Sequence, residues 1–131
     1  MISWKLAARD IALVMAGGAL GSSLRYGISM ITGYQTSSPF PYKTLLINII
    51  GCFLVGLLSM LFSQHPSQHM IRVFFVVGFL GAFTTFSAFS YETVLLYQDG
   101  HIRTAAMNIL ASTLTGVLAV LAGMWTGLKI R

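Results

Sequence analysis

A mixture of glycines, hydroxyl residues and phenylalanines interrupts one long apolar segment of the chain. It reads GFLGAFTTFSAFS over residues 78–90. Hydrocarbon offers no water to bond free backbone groups, so each unsatisfied group there is costly. Glycine followed by a threonine pair makes a poor continuous helix and favours a local break. Such a break must be buried in protein or line a watery cavity, and its freed carbonyls suit a monovalent cation if two breaks face each other across a symmetric dimer.

Phenylalanines recur at regular spacing through the same stretch. Phe83, Phe86 and Phe89 lie three residues apart, which places them in a slowly rotating stripe on a helix. The edge of an aromatic ring carries positive charge, so ring edges can contact an anion. Aromatic side chains that face lipid would produce the same stripe without any function. The spacing therefore leaves a membrane-facing surface and the wall of an anion path as alternatives.

Two other polar residues stand inside apolar segments. Asn48 lies in TLLINIIGCFLVG, where its amide either bonds a neighbouring helix or turns its N–H donors toward an anion. Arg25 follows Gly17 and Gly21, a small-residue pair that lets another helix approach closely. A charged residue inside a membrane span faces a partner, a cavity or the interface. Arg25 therefore either reaches headgroups or carbonyls, or attracts an anion at the mouth of a pore.

A polar stripe also marks the last apolar segment. Asn108, Ser112 and Thr115 lie four and then three residues apart, so they share one face of a helix. Such a stripe either lines a pore or holds helices together.

These residues require elements that cross a membrane. Of the 131 residues, 56% are hydrophobic and 8% are charged, whereas an ordinary soluble domain has about 25% charged residues. Apolar stretches occupy about 11–32, 44–63, 70–97 and 104–128, each near the ~20 residues needed to cross the hydrocarbon core. We predict an all-α integral membrane protein, residues 1–131 forming a single domain of four transmembrane helices with the third helix broken.

The distribution of charge bears on partners and orientation. The formal net charge is +5, but the basic residues are scattered singly, which argues against a nucleic-acid partner. Positive-inside counting, with Arg25 omitted, places five residues on one side and two on the other. The five are Lys5, Arg9, Arg72, Lys129 and Arg131; the two are Lys43 and Arg103. This modest bias permits insertion both ways, and so small a bundle favours a symmetric dimer, which would then be antiparallel.

Enzyme chemistry finds no support in the residue pattern. The single cysteine, Cys52, excludes a disulfide framework or a cysteine metal cluster within one chain. His65, His69 and His101 are predicted in turns, without a nucleophile, metal-ligand spacing or phosphate loop beside them.

Three segments together resemble the Fluc (CrcB-type) fluoride channels of bacteria. They are GGALGSSLRY, TLLINIIGCFLVG and GFLGAFTTFSAFSYE, and the resemblance runs from about residue 16 to 116. It implies a dual-topology, antiparallel homodimer in the bacterial inner (plasma) membrane, with two pores for passive efflux that lowers cytoplasmic fluoride. Ala82 and Ala88 stand where the family commonly has glycine and threonine.

The resemblance also assigns roles to individual residues. The pore phenylalanines fall on Phe86 and Phe89, the pore asparagine on Asn48 and the vestibule arginine on Arg25. Thr85, Ser87 and Ser112 become candidates for a polar track beside the phenylalanines. A structural sodium ion at the dimer centre would be held by main-chain oxygens of Gly81 and Thr84 from both subunits.

Two other classes of protein fit part of this pattern. A small dual-topology multidrug or proton-coupled exporter has the same size but needs a titratable carboxylate near mid-span. Glu92 lies about eight residues beyond Thr84, or ~12 Å along a helix, which places it toward the interface. An accessory subunit without transport of its own would explain the glycine-rich faces, but not the coincidence of Asn48 with a polar break.

Overall fold

The computed structural model describes residues 4–31, 38–62 and 66–130, and the regular structure within these ranges is helical. The long helices are α1 (Trp4–Ile31), α2 (Tyr42–Leu61) and α6 (Ile102–Ile130). Between α2 and α6 come a 3₁₀ turn (Pro66–Gln68), α3 (His69–Arg72), a π-helical segment (Val73–Leu80), α4 (Gly81–Phe83) and α5 (Phe86–Gln98). The predicted turn residue His65 and the chain end at Arg131 lie outside the described residues.

Four helical stretches in the described part of the chain are long and apolar enough to cross a membrane. They are Leu6–Met30, Tyr42–Leu61, His69–Gln98 and Ile102–Ile130. The prediction of an all-helical chain with four membrane-spanning segments is therefore confirmed. The helices extend beyond some predicted bounds, because polar residues at the apolar edges, such as Arg9 and Asp10 in α1, continue the helix.

The first and third spans pack side by side through small residues. A Cβ atom added at Gly17 would approach the carbonyl oxygen of Phe74, and one added at Gly21 would meet the carbonyl oxygen of Phe79. At the start of this contact, Asp10 Oδ2 lies 2.7 Å from Nε2 of His69. The paired residues advance together along both spans, so the two spans run parallel. The bare glycine backbone is what allows this close approach.

A second parallel pair is formed by α2 and α6. A Cβ atom added at Gly116 would lie 3.7 Å from Sγ of Cys52, and one added at Gly56 would meet the carbonyl oxygen of Val120, so the paired residues advance together along both helices. Both helices therefore approach at backbone distance, which van der Waals packing between membrane helices favours.

The turn between α5 and α6 ends the third span sharply. Gly100 has φ +80°, a left-handed conformation that glycine adopts without steric cost. Its N–H donates to the carbonyl of Tyr97 at 3.1 Å, while the N–H of His101 donates to the carbonyl of Leu96 at 2.8 Å. This pair of bonds is a Schellman motif, which satisfies carbonyls left free at the end of α5.

The buried core lies where the third span meets α2. Ile47, Leu80 and Phe83 form its centre. Phe83 also stacks on Phe79, with ring centroids 6.1 Å apart. Most other large apolar side chains are exposed, as expected for a surface that contacts lipid.

Two details differ from the sequence-based expectations. Phe83 is buried in the core while Phe86 is 80% exposed, so Phe83, Phe86 and Phe89 do not form one stripe. The extended backbone between α4 and α5 rotates the later rings onto another face. His69 begins α3 instead of standing in a turn, because it follows the 3₁₀ turn directly and bonds to Asp10.

Glycine packing between the first and third spans yields a matched pair of variants. Gly21→Ala forces a methyl group against the Phe79 carbonyl, whereas Gly27→Ala on the same helix finds nothing within 4 Å. We expect Gly21→Ala to destabilise the fold by about 1 to 3 kcal/mol, the usual cost of overpacking. Thermal melting of the detergent-solubilised protein should show a lower midpoint for Gly21→Ala alone. Equal midpoints for the two variants would contradict the close packing.

Candidate functional site

The third span is interrupted by two extended residues. Thr84 has φ −77° and ψ 154°, and Thr85 has φ −147° and ψ 113°, so neither continues the helix. Gly78 and Gly81 both belong to helical segments. The extended backbone thus falls on the threonines, whose branched side chains favour it, and not on the glycines.

Asn48 pairs with the interrupted backbone on both sides of its amide. Its Oδ1 accepts from the N–H of Thr85 at 2.8 Å, and its Nδ2 donates to the carbonyl of Thr85 at 3.2 Å. One side chain of α2 therefore satisfies both polar groups of an extended residue at membrane depth. Of the two roles that the sequence left open for Asn48, the structure shows the bond to a neighbouring segment. One N–H of the amide remains beyond the bond to Thr85.

The residues on either side of the interruption also have partners. Nε of Arg25 donates to the carbonyl of Ala82 at 3.1 Å, so this guanidinium caps the last turn of α4. Thr85 is the N-cap of α5, and its Oγ1 accepts from the N–H of Ala88 at 3.1 Å. The methyl group of Thr84 occupies the space that the absent Cβ of Gly51 leaves open.

The break removes the helical donors of the carbonyls of residues 81–84, and for two of these carbonyls the contacts above show where the donor goes instead. In a continuous helix, the N–H of Thr85 would donate to Gly81 and that of Ala88 to Thr84. Here these N–H groups donate to side-chain oxygens of Asn48 and Thr85 instead. Gly81 is also exposed, and an added Cβ there would meet only the Val76 carbonyl, at 3.9 Å. The carbonyl oxygens of Gly81 and Thr84 are therefore left available for another ligand.

An open groove of about 410 Å³ lies beside the interruption. It is lined by Asn48, Cys52, Thr84, Thr85, Phe86, Phe89, Ser112, Thr113, Gly116, Val117 and Val120. None of these lining residues carries a charge. The rings of Phe86 and Phe89 have centroids 5.6 Å apart and planes inclined by 46°, and Phe86 is 80% exposed. The groove thus presents aromatic rings, amide and hydroxyl groups on an otherwise apolar wall.

A chain of hydrogen bonds runs from the groove into the protein. Oγ of Ser112 lies 3.3 Å from Oδ1 of Asn108, whose Nδ2 lies 2.8 Å from Oγ1 of Thr93. The Thr93 hydroxyl reaches the carbonyl of Phe89 at 2.7 Å. Asn108 is 1% exposed, so it stands behind the groove wall and connects α6 to α5. Thr115, the third member of the predicted stripe, bonds only the carbonyl of Ala111 among the described residues.

The structure brings most of the sequence-predicted site residues together. Five of them line the groove: Asn48, Thr85, Phe86, Phe89 and Ser112. Ser87 is exposed, and its Oγ lies 3.2 Å from Oγ1 of Thr85, outside the groove wall. Arg25 lies behind the interruption, at the end of α4, and does not line the groove.

Sequence reasoning missed the α6 wall of the groove. This wall consists of four residues at helical spacing: Thr113, Gly116, Val117 and Val120. Their spacing could have indicated a shared face once Ser112 was placed on the same helix. It also missed that Thr44 donates to Oε1 of Glu92 at 2.7 Å. This bond fixes the Glu92 carboxylate against α2. Thr44 and Glu92 are 48 positions apart in the sequence, so no local pattern indicates their contact.

Comparison with known proteins identifies the family. Residues 12–124 match the family described as CrcB-like protein, Camphor Resistance (CrcB). A relative from Dehalococcoides mccartyi, named Fluoride-specific ion channel FluC, is 43% identical over 93% of this chain and 95% of its own length. Relatives with the same name are 44% identical in Paracoccus denitrificans, over 87% of this chain and 90% of theirs, and 46% identical in Hydrogenovibrio crunogenus, over 85% of both. The chain belongs to the CrcB-like family.

The pairing of Asn48 with Thr85 predicts local protection of the interruption. Asn48→Ala removes both partners of the Thr85 peptide, whereas Ile50→Ala alters an exposed position on the same helix. Leaving buried polar groups unsatisfied costs about 1 to 3 kcal/mol, so we expect roughly 5- to 150-fold faster exchange of the Thr85 amide in Asn48→Ala. Hydrogen–deuterium exchange of the peptide containing Thr85 measures this. Unchanged protection would show that Asn48 does not hold the break.

Proposed function

We propose that this protein is a fluoride-specific ion channel that lets fluoride leave the cell passively and so lowers cytoplasmic fluoride. The observation that carries the proposal is the similarity to relatives named fluoride-specific ion channels along nearly the whole chain. The groove supports it, because aromatic edges and N–H and O–H donors suit a small anion. We place the protein in the bacterial inner membrane, as a multi-pass protein that acts in transport and not in catalysis.

The chemistry of the groove follows from the desolvation cost of an ion. Moving even a carboxylate-sized ion into a low-dielectric interior costs on the order of 20 kcal/mol in the idealised limit. Fluoride is smaller and therefore more strongly hydrated, so its desolvation costs more. Aromatic edges alone do not compensate for this lost hydration. The remaining N–H of Asn48, the hydroxyl of Thr85 and the edges of Phe86 and Phe89 lie along one groove and act together. Retained water supplies further donors.

A proton-coupled exporter is the less favoured function. Its mechanism needs a carboxylate that exchanges protons at the substrate site. Glu92 is not among the residues that line the groove, and its Oε1 accepts from Thr44. The relatives' names also favour the channel.

The anion path can be tested by removing the ring edges. Phe86→Ile and Phe89→Ile keep apolar bulk in the groove, and Phe75→Ile alters a partly exposed ring in the π-helical segment away from it. We expect the first two to slow fluoride flux about tenfold or more, because each 1.4 kcal/mol of lost stabilisation is a factor of ten. A fluoride electrode records efflux from liposomes containing the purified protein, with chloride in parallel. Wild-type flux in Phe86→Ile and Phe89→Ile would refute the assignment of these rings to the pore. Absence of fluoride flux in the wild type would refute the proposed function.

We further propose that the working unit is an antiparallel homodimer. One chain leaves the groove open and Phe86 exposed, so a second copy would close the path. The bias of five basic residues against two is weak enough for insertion in both orientations.

Dual insertion makes a prediction about topology. Reporter domains fused after Arg131 should give signals on both sides of the membrane. Several lysines added to one tail should force one orientation, and flux should return only when the oppositely biased chain is co-expressed. A single clean orientation of the unmodified chain would contradict the antiparallel dimer.

A structural sodium ion is the third element of the proposal. The chain fits such an ion, since the carbonyls of Gly81 and Thr84 have lost their helical donors and oxygen is the ligand that hard cations prefer. Two chains would together contribute both pairs of oxygens. When bound, the ion would supply fixed positive charge near the anion path. Asn48 and the Thr85 hydroxyl keep these oxygens free by engaging the competing N–H groups.

Sodium dependence distinguishes a structural ion from a transported one. Replacing Na⁺ with a large organic cation during long equilibration should weaken the dimer or silence fluoride flux. Reversing the Na⁺ gradient should leave the direction of fluoride movement unchanged, because a resident ion contributes no driving force. Both are measured on the same liposomes. Fluoride movement driven by the Na⁺ gradient would make sodium a coupled substrate and overturn the structural role.

A further inference from the structure

The hydrogen-bond chain behind the groove has only one chemically consistent direction. The Phe89 carbonyl is an acceptor without a proton, so the Thr93 hydroxyl, 2.7 Å away, must donate to it. Thr93 has a single proton, so its oxygen can only accept from Asn108. The amide atom of Asn108 that faces Thr93 is therefore the nitrogen. The hydrogen-bond partners therefore fix the orientation of the Asn108 amide.

The orientation of the Asn108 amide determines which group Ser112 presents to the groove. With its nitrogen toward Thr93, Asn108 turns its Oδ1 toward Ser112, and Ser112 donates its only proton to that oxygen. The lone pairs of Ser112 are then the groups that face the groove. A lone pair repels a bare anion but accepts a hydrogen bond from water. Ser112 thus suits a water molecule whose other proton points to the anion.

Burial explains why Asn108 can enforce this direction. At 1% exposure it has no access to water, so an unmatched donor or acceptor there would be costly. The bonds to Thr93 and to the Phe89 carbonyl are short, at 2.8 Å and 2.7 Å, whereas the bond from Ser112 is 3.3 Å long. The chain is therefore anchored at its inner end, and Ser112 joins it through the longest of the three bonds.

We propose that Asn108 is a positioning residue of the channel: it commits the Ser112 proton inward, so that Ser112 holds a water of the passing anion and does not bind the anion directly. Through Thr93 it also fixes the helix that carries Phe86 and Phe89 against α6. This inference rests on the proposed fluoride path and adds a residue that does not touch the groove. It distinguishes Ser112, an acceptor, from Asn48, which presents an N–H.

The chain is convenient for a spectroscopic test, because Asn48 and Asn108 are its two asparagines. Protein labelled with ¹³C,¹⁵N-asparagine and reconstituted in lipid bilayers gives two side-chain amide signals by NMR. The signal that persists in Asn48→Ala belongs to Asn108. We expect one Asn108 amide proton to be shifted downfield and protected from exchange by its bond to Thr93. Ser112→Ala should shift the Asn108 side-chain carbonyl carbon, because that oxygen loses its donor.

Adding sodium fluoride to the wild-type sample then tests the role of Ser112. We expect the Asn108 carbonyl carbon to stay where it is, because the Ser112 proton remains directed inward. A shift matching that of Ser112→Ala would show that Ser112 turns its proton to fluoride, and would overturn the proposal. Free exchange of the Asn108 amide protons in the wild type would also overturn the proposal. These signals do not depend on flux, so a wild type that carries no fluoride would refute the proposed function separately.

Flux measurements complete the test with variants at Thr93. Thr93→Val keeps the shape but leaves the buried Asn108 N–H without an acceptor, and we expect about tenfold or more slower fluoride flux. Thr93→Ser restores the hydroxyl and should restore most of the flux and the protected amide proton. Thr126→Val, which removes a hydroxyl bonded to its own helix at the Ala122 carbonyl, is the matched control and should not alter flux. Wild-type flux in Thr93→Val would overturn the positioning role.

Discussion

The pairing between the Asn48 side chain and the Thr85 peptide is the contact on which the rest of the site depends. A backbone that leaves the helical path inside a membrane has no water to satisfy its polar groups. Asn48 supplies both a donor and an acceptor to one extended residue, and Arg25 caps the turn before it. Since these partners come from α2 and α1, the interruption exists only in the folded bundle. The groove, the orientation of Phe86 and the released carbonyls all follow from it.

Close backbone approach by glycines is the second requirement. The contacts of Gly17 and Gly21 hold the first span against the third, and Gly51 leaves space for the Thr84 methyl group. Without these contacts, Asn48 and Arg25 could not reach the interrupted backbone. Helix packing and the hydrogen bonding of the break therefore depend on each other. Small residues set the distances between the helices, and at these distances the side chains of Arg25, Asn48 and Thr85 can bond the backbone groups that the break leaves free.

Much of the architecture was predictable because it depends on local pattern. Long apolar runs predicted the four spans, and His101 lies in a turn before α6 as predicted. The site was predictable only in part. The three polar residues Asn48, Thr85 and Ser112 lie in three different segments of the sequence, and only the resemblance to the fluoride channels implied that they meet. Whether the Asn48 amide would face an anion or another segment depends on the neighbouring backbone, which no single-chain pattern specifies.

The contacts of individual glycines also bear on how this protein can vary by mutation. Every missense change at a glycine adds at least one carbon atom. At Gly56 and Gly123 that carbon meets a carbonyl of the facing helix, whereas Gly27 has open space. Neutral substitutions should therefore be concentrated at positions such as Gly27, while selection should remove substitutions at the contact glycines. Glycine, usually the residue of flexible structure, here marks the lines through the bundle that have no room for one added carbon atom.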